Sequence, residues 1–326
     1  MYDTAEAVRF ITSHESFVVL GHKEPDGDCI ASQIAVATLL RALGKEATLH
    51  SAGPFDRPEI GPFEPDFSAT VPIERRTSTA VVILDCSTPD RTGPLGATVA
   101  GLPCLVIDHH SAGERFGDAR MVDSSAPSTT VLVLDLFEAM GVTPDTDTAR
   151  LILFGLCTDT GFFRHLGAGS AHIFRAIARL VERGTSTADV YMMMYGRREL
   201  ASRKLLGEML QRAESHRSDR LILTWQMIAD RERLHAHQRG EDDLYRLLQT
   251  VKGNMVVVLI KEEGKGVFSV GLRSTSAVDV GAVAASFGGG GHRQASGFDI
   301  RGSLDSVKKA VMEALFPLIA EAQSEL

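Results

Sequence analysis

The sequence predicts an α/β protein with a parallel-sheet N-terminal domain and a smaller α/β C-terminal domain, the active cleft lying between them. Three observations predict it. Short apolar runs alternate with helical patterns through the first half, the mark of a parallel sheet covered on both faces. The 326 residues exceed what one hydrophobic core usually fills. After Ser215 the pattern changes to strand-rich segments completed by two helices. These changes set a first domain over residues 1–185, a helical linker over 186–215 and a second domain over 216–326.

Phe17 to Leu20 is a short apolar run stopped by Gly21 and reads as a buried strand. Asp28 to Leu43 carries apolar residues at helical spacing, and Gly44 is a good residue to end that helix. Residues 53–66, with Pro54, Pro58, Pro62 and Pro65, read as a surface loop. Ala80 to Leu84 and Cys104 to Ile107 are two further strands, each running into a charged cluster. Ser128 to Met140 and Asp147 to Leu156 read as buried helices, and 170–215 as a helical stretch punctuated by Gly184 and Gly196. Beyond it, Arg220 to Trp225, Met255 to Lys261 and Gly266 to Arg273 read as strands, the last two joined through a turn at Gly264. Helices near 278–286 and 303–322 complete the second domain.

Hydrophobic residues make up 44% and charged residues 23%, as in a soluble globular protein. A formal net charge of −8 and a pI near 5.8 argue against a protein whose task is coating long duplex DNA. They leave room for a small phosphate-bearing substrate held by a few local cations. No stretch is long and apolar enough to span a bilayer, and MYDTAEAVRF lacks the basic and apolar regions of a signal peptide. Cys29, Cys86, Cys104 and Cys157 form no C-x-x-C pair, which fits a reducing cytoplasm. Small thiols packed beside strand ends explain them better than a zinc-thiolate site.

Four clusters carry candidate chemistry. GHKEPDGD (residues 21–28) lies between a strand and a helix, and Pro25 and Gly27 force a tight loop that can turn His22, Asp26 and Asp28 toward one point. Asp85 ends a strand, Asp108, His109 and His110 end another, and Asp159 ends an apolar helix. In such sheets ligands bind outside the carboxyl ends of the strands, where these clusters fall. A lone Asp after a strand is usually a cap. Four clusters rich in Asp and His in one half are not explained by caps, because caps do not require histidine. Buried carboxylates are costly unless positive charge compensates them, and a pair of divalent cations would do so. Carboxylates with a minority of imidazoles suit Mn2+ or Mg2+ better than structural zinc. One carboxylate bridging two ions about 3.5–4 Å apart is the two-metal hydrolase arrangement.

A fifth element is Gly288, Gly289, Gly290, Gly291, His292 and Arg293. Consecutive glycines leave backbone N–H groups open to a close-approaching anion, and the flanking residues add charge. Arg273 and Ser274, at a strand end, are a second candidate phosphate clamp, since arginine offers a bidentate fork to phosphate oxygens.

GHKEPDGDCIASQ resembles the first motif of the DHH phosphoesterase superfamily, LDCSTPDR the second, IDHH the third and GLCTDTGFFR the fourth. LRS and GGGGHRQASGF resemble the phosphate-binding motifs of the DHH-associated C-terminal domain, so the resemblance covers nearly the whole chain. Within the superfamily the chain resembles NrnA-type oligoribonucleases, which degrade very short RNAs and also dephosphorylate 3′-phosphoadenosine 5′-phosphate. The resemblance implies one cation held by His22, Asp26 and Asp85, and another by Asp28, Asp85, His109 and Asp159, with Asp85 the bridge. It implies that Asp108 orients its neighbours and that His110 faces the scissile phosphate. It also implies that Arg273, Ser274, Gly288 to Gly291 and His292 hold the substrate's terminal phosphate. Mn2+ is the expected ion, with Mg2+ or Co2+ as alternatives. The expected partners are short RNA or DNA oligonucleotides or a nucleotide, with no membrane and no long duplex DNA. The oligomeric state is left open between monomer and homodimer. Ala31 stands where the first motif usually has glycine, with little effect expected on the metals.

Three rival functions define what the site must exclude. A RecJ-like exonuclease on longer single-stranded DNA usually carries an added oligonucleotide-binding module, for which this chain has no room. A family II pyrophosphatase lacks the glycine-histidine element. A non-catalytic nucleotide-binding protein would be expected to have lost some of the six candidate metal ligands, and all are present.

Overall fold

The computed structural model describes residues 4–72, 79–111, 113–196, 198–236, 240–275 and 278–324. The chain divides into two compact units, Met1–Arg197 and Arg198–Leu326. The first contains α1 (Thr4–Thr12), β1 (Ser16–Leu20), α2 (Gly27–Ala42), β2 (Glu46–His50), β3 (Thr79–Leu84), α3 (Pro94–Val99), β4 (Cys104–Asp108), β5 (Ala119–Val122), α4 (Thr129–Ala139), α5 (Thr146–Asp159), α6 (Ala171–Glu182) and α7 (Thr187–Tyr195). Its five strands lie in the order β2-β1-β3-β4-β5, and all of them pair in parallel.

The apolar runs behave as buried parallel strands because both faces are covered. Along β3, Ala80, Val82 and Leu84 face the large core built with α2, α4 and α5, while Val81 and Ile83 face a smaller core under α3. The strand order reverses between β1 and β3, and the carboxyl ends on either side of that switch lead into His22 and Asp85. Short β2 and β5 sit at the two edges and carry too few apolar residues to stand out from the sequence pattern. The expected helical stretch over 170–215 is three helices. Gly184, with φ +90°, ends α6, and Gly196 caps α7. Ala31 is fully buried within α2.

The second unit holds α8 (Leu200–Gln211), β6 (Glu214–His216), β7 (Leu221–Gln226), α9 (Ile228–Leu234), α10 (Glu241–Leu248), β8 (Val256–Gly264), β9 (Val267–Ser274), α11 (Val280–Ser286), β10 (Gly290–His292), β11 (Ala295–Arg301) and α12 (Leu304–Ser324). Its sheet runs β10-β11-β9-β8-β7-β6 and is antiparallel except for the β7–β8 pair. One face packs on α11 and α12, the other on α8 and α10. Two expectations need correction. The β8–β9 turn falls at Lys265 and Gly266 instead of Gly264, because a register irregularity near Glu262 lengthens β8. The glycine run is only partly a loop: Gly290 and Gly291 are strand residues in β10, paired with Gly297 and Ser296.

No described helix is long and apolar enough to cross a membrane. Phe137 is 1% exposed in the core of the first unit. Phe137→Ala should therefore lower the free energy of unfolding by roughly 3–5 kcal/mol, read as a lower urea midpoint with an unchanged slope.

Candidate active site

β1 ends at Leu20, and the loop that follows carries His22 and Asp26 before α2 begins. Asp26 caps that helix through the Cys29 N–H, at 3.1 Å, while Asp28 points inward from its first turn. β3 ends at Leu84, and Asp85 then adopts a left-handed backbone with φ +57°. That conformation is uncommon for residues other than glycine and best tolerated by Asp and Asn. It turns the Asp85 carboxylate between two imidazoles. Oδ2 lies 3.5 Å from His22 Nε2, and Oδ1 lies 3.5 Å from His109 Nε2. Asp26 Oδ1 is 3.9 Å from His22 Nε2, and Asp159 Oδ2 is 3.1 Å from His109 Nε2. Donor atoms of Asp28, His109 and Asp159 all lie within 4.8 Å of one another. The structure thus brings His22, Asp26, Asp28, Asp85, His109 and Asp159 to one place from four separate segments.

The orientation of both rings is set by carbonyls. His22 Nδ1 is 2.8 Å from Lys23 O, and His109 Nδ1 is 3.3 Å from Ala126 O. A carbonyl only accepts, so each Nδ1 carries a proton, and each Nε2 is the ring atom turned toward the carboxylate cluster. His110 is placed differently. Its Nδ1 donates to Asp108 Oδ1 at 2.7 Å, and the same oxygen accepts the His109 N–H at 2.9 Å. About a third of the His110 side chain is exposed.

The cluster is short of positive charge. Burial alone would keep His22 neutral, yet the adjacent Asp26 and Asp85 carboxylates hold its protonation far above the usual range. His109 is likewise pushed against burial, by Asp159 and Asp85, up to about 11. Burial raises Asp28 well above its ordinary value with help from Asp159 and Asp85, and burial with Asp26 and Asp85 raises Asp159 to about 6. A site that draws in protons this strongly is one that divalent cations fit, and its oxygen-rich donor set with two imidazoles is of the kind they take.

In the second unit Arg273, Gly288 to Gly291 and His292 line one cavity of about 740 Å³, together with Tyr245, Lys261 and Gly297. Arg273 makes no ion pair among the described residues. Its guanidinium lies 4.6 Å from the centre of the Tyr245 ring and donates to Leu272 O. The glycine run is not a nest of open N–H groups. Those of Gly288 and Gly289 are taken by the Ala285 and Ala284 carbonyls at the end of α11. Ser274 is not brought to this cavity: it is buried on the opposite face of β9, with its hydroxyl donated to Val278 O. Arg293 lies 3.8 Å from Asp279 and is largely exposed.

The DHH family N-terminal domain matches residues 16–156, and the DHHA1 domain matches residues 236–317. The bifunctional oligoribonuclease and PAP phosphatase NrnA of Thermus thermophilus is 32% identical over 296 residues, spanning 90% of this chain and 87% of that protein. The chain belongs to the DHH family. The DHH fold recurs in an exopolyphosphatase-related protein from Bacteroides fragilis, with a TM-score of 0.86 at 21% identity over 98% of this chain and 97% of that one. It recurs more distantly in RecJ from Thermus thermophilus in complex with Mn2+, with a TM-score of 0.53 at 15% identity, covering 98% of this chain and 54% of that one. This DHH protein is a hydrolytic enzyme acting on phosphoester bonds.

Sequence reasoning missed three supports of the DHH cluster. The N-terminus of α4 holds Asp28, with Thr129 and Thr130 N–H groups donating to its two oxygens at 2.6 and 3.0 Å. Thr129 Oγ1 also donates to Asp85 Oδ1 at 3.0 Å. The clue was Ser128-Thr129-Thr130 ahead of an apolar helix, a capping sequence whose ligand proved to be a distant carboxylate. Cys29 Sγ lies among the His22 and Asp85 donors, but burial raises its thiol pKa, so it packs as a neutral group. Gly155 lets α5 approach. A Cβ there would sit 2.4 Å from Thr130 Cγ2 and 3.0 Å from Asp28 Oδ1. Alanine is the better helix former by roughly 0.5–1 kcal/mol, yet Gly155→Ala should lower both thermal stability and Mn2+ affinity, the latter by about tenfold. A variant with wild-type affinity in a Mn2+ titration would show that α5 does not brace Asp28.

Proposed function

We propose that this enzyme uses two divalent cations to hydrolyse phosphoester bonds in short oligonucleotides of about two to five nucleotides, with binding energy from a terminal phosphate helping to position the scissile one. Linear dinucleotides such as pGpG and pApA, and 3′-phosphoadenosine 5′-phosphate, fall within the same reading. One observation carries it: Asp85 turns one oxygen toward His22 and the other toward His109. That arrangement supports Asp85 as the bridge, with His22 and Asp26 completing one cation site and Asp28, His109 and Asp159 the other. Mn2+ suits this donor set best, with Mg2+ and Co2+ as alternatives. The bound pair would lower the pKa of a water and offset charge on the phosphate.

The chain's own groups do the rest. Thr129 fixes Asp85 by a hydrogen bond, so the bridging carboxylate cannot rotate freely. Asp108 holds His110 by Nδ1 and raises its pKa, and in the protonated ring Nε2 would donate to the scissile phosphate. Arg273 and His292 supply the grip on the remote phosphate, since the Arg273 charge is not neutralised by any carboxylate among the described residues. The substrate class is supported by the Thermus relative, whose name gives it both oligoribonuclease and PAP phosphatase activities. Four free cysteines fit a reducing cytoplasm.

Release of mononucleotide from a 5′-phosphorylated dinucleotide should require Mn2+ and stop with EDTA. Asp85→Asn keeps the shape but removes the charge that two dications share, so turnover at saturating Mn2+ should fall by at least about 10²-fold. Near-normal turnover would sink the dinuclear reading. Arg273→Ala and His292→Ala should each lower kcat/KM on the dinucleotide by roughly 10- to 100-fold, the worth of a charged hydrogen bond. Loss on bis-p-nitrophenyl phosphate, which has no remote phosphate, should be much smaller. Equal losses on both substrates would refute the clamp.

A further inference from the structure

The chain leaves α5 by a route that ending a helix does not require. Asp159 is the last residue of α5, and Gly161 follows it with φ +56°. One left-handed glycine is enough to stop a helix. Here Phe162 and Phe163 continue in the same region, with φ +56° and +74°. Left-handed backbone is an outlier for bulky side chains, so two in succession are strained. The turn is fastened throughout. The Phe162 N–H donates to Cys157 O at 2.7 Å, the Phe163 N–H to Thr160 Oγ1 at 3.1 Å and the His165 N–H to Thr160 O at 3.0 Å. The Phe162 ring stands edge-on to Tyr191, with centroids 5.3 Å apart, and the Phe163 ring packs on Phe174 at 6.0 Å.

The strained turn sets the place of the two residues after it. Arg164 and His165 fold back over Gly161, where a Cβ would lie 3.0 Å from the His165 ring and 3.7 Å from Arg164 Nε. Gly161 is two residues past Asp159, so their Cα atoms are at most about 7 Å apart. Arg164 Nη2 lies 3.2 Å from His165 Nε2. Burial, with help from the Arg164 charge, lowers the His165 pKa, so the ring is neutral and Nε2 accepts from the guanidinium. Arg164 meets no carboxylate among the described residues, and both side chains are exposed. A cation with its charge intact is therefore fixed at the edge of the carboxylate cluster.

We propose that Arg164, positioned by His165, binds the backbone phosphate next beyond the scissile one in substrates of three or more nucleotides. His165 engages one guanidinium nitrogen, Nη2, and the others are left for phosphate oxygens. A phosphate beyond the scissile one passes close to buried carboxylates and is repelled by them unless a cation of the protein meets it. Arg164 is that cation. The fastened turn and the His165 contact hold it in place, so less side-chain freedom is lost when a substrate binds. A 5′-phosphorylated dinucleotide has only a terminal and a scissile phosphate, and leaves Arg164 nothing to hold. A trinucleotide has one phosphate more.

This site rests on the proposed function, and two chain lengths separate the one from the other. Initial rates on pApA and pApApA are measured with the full-length protein and Mn2+. Arg164→Ala should lower kcat/KM on pApApA by roughly tenfold, as for an exposed charged hydrogen bond, and on pApA by less than about twofold, with the melting temperature unchanged. His165→Phe, which removes the acceptor, should show the same selective loss in smaller measure, and His165→Gln, which keeps one, should restore the wild-type ratio of the two rates. Arg183→Ala removes the same charge elsewhere in the unit and should change neither rate. Arg183 O accepts the Thr146 hydroxyl at the start of α5, roughly 20 Å along that helix from Asp159. Equal losses on both substrates in Arg164→Ala, no loss on either, or the same trinucleotide defect in Arg183→Ala would overturn the site and leave the proposed function standing. A wild type that cleaves neither substrate with Mn2+ would overturn the proposed function and the site together.

Discussion

Negative charge held out of water is the constraint around which the first unit is arranged. Asp28, Asp85 and Asp108 are each no more than 4% exposed, and Asp26 and Asp159 lie beside them. Carboxylates packed this closely repel one another and lose hydration, so the fold must supply compensation or lose the arrangement. The compensation comes in fixed forms: two imidazoles, the N–H groups at the start of α4, and a threonine hydroxyl. These partners do not neutralise the cluster, as the raised protonation of Asp28 and Asp159 shows. The residual demand for positive charge is what makes the site suited to divalent cations, and it costs stability that the surrounding apolar core must offset.

The topology follows from the same demand. A parallel sheet sends the carboxyl ends of its strands to one edge, so residues far apart in sequence converge there without long loops. His22 follows β1, Asp85 follows β3, and Asp108 ends β4 before His109 and His110. Asp28 and Asp159 arrive on helices, from the first turn of α2 and the last turn of α5. Helix α4 then meets Asp28 with its N-terminal N–H groups, the end whose partial positive charge favours an anion. The close packing of α2, α4 and α5 is thus electrostatic as well as apolar, and Gly27 and Gly155 are the places where it tolerates no side chain.

Much of this was legible because chemistry and periodicity coincide in the sequence. The runs over 17–20, 80–84 and 104–107 are apolar enough to be strands buried on both faces, and each stops at the residues that carry charge. The six proposed ligands could be named because Asp and His cluster at those stops and at two helix ends, within motifs that resemble those of the DHH superfamily. What stayed hidden depends on contacts across long separations. Thr129 reads as an ordinary helix start until Asp28, 101 residues earlier, is seen on its N–H. Gly155 reads as a neutral helix residue until Thr130 is seen against it. Edge strands β2 and β5 give short, mixed patterns that loops share. The glycine run misleads in the other direction. Composition alone favours an open loop, but two of its residues pair in the sheet, because β11 offers an edge that three residues of β10 can complete.

In the function proposed, the two units would answer phosphate with opposite means. The first gathers carboxylates and so must recruit cations before it can face an anion. The second presents Arg273 directly, steadied by the face of Tyr245 instead of by a carboxylate. That difference has a physical reason. An arginine paired with Asp or Glu, as Arg212 is with Asp230, is stabilised but largely neutralised toward a further anion. Stacking on an aromatic ring holds the guanidinium plane while leaving its charge available. Burial keeps the Tyr245 phenol well above its ordinary pKa, so it adds no competing negative charge at neutral pH. Gly271 is then required by the tyrosine and not by the phosphate, since any side chain there would occupy the place of the hydroxyl. Arginine, tyrosine and glycine in this arrangement form a single device for keeping a positive charge rigid and unneutralised.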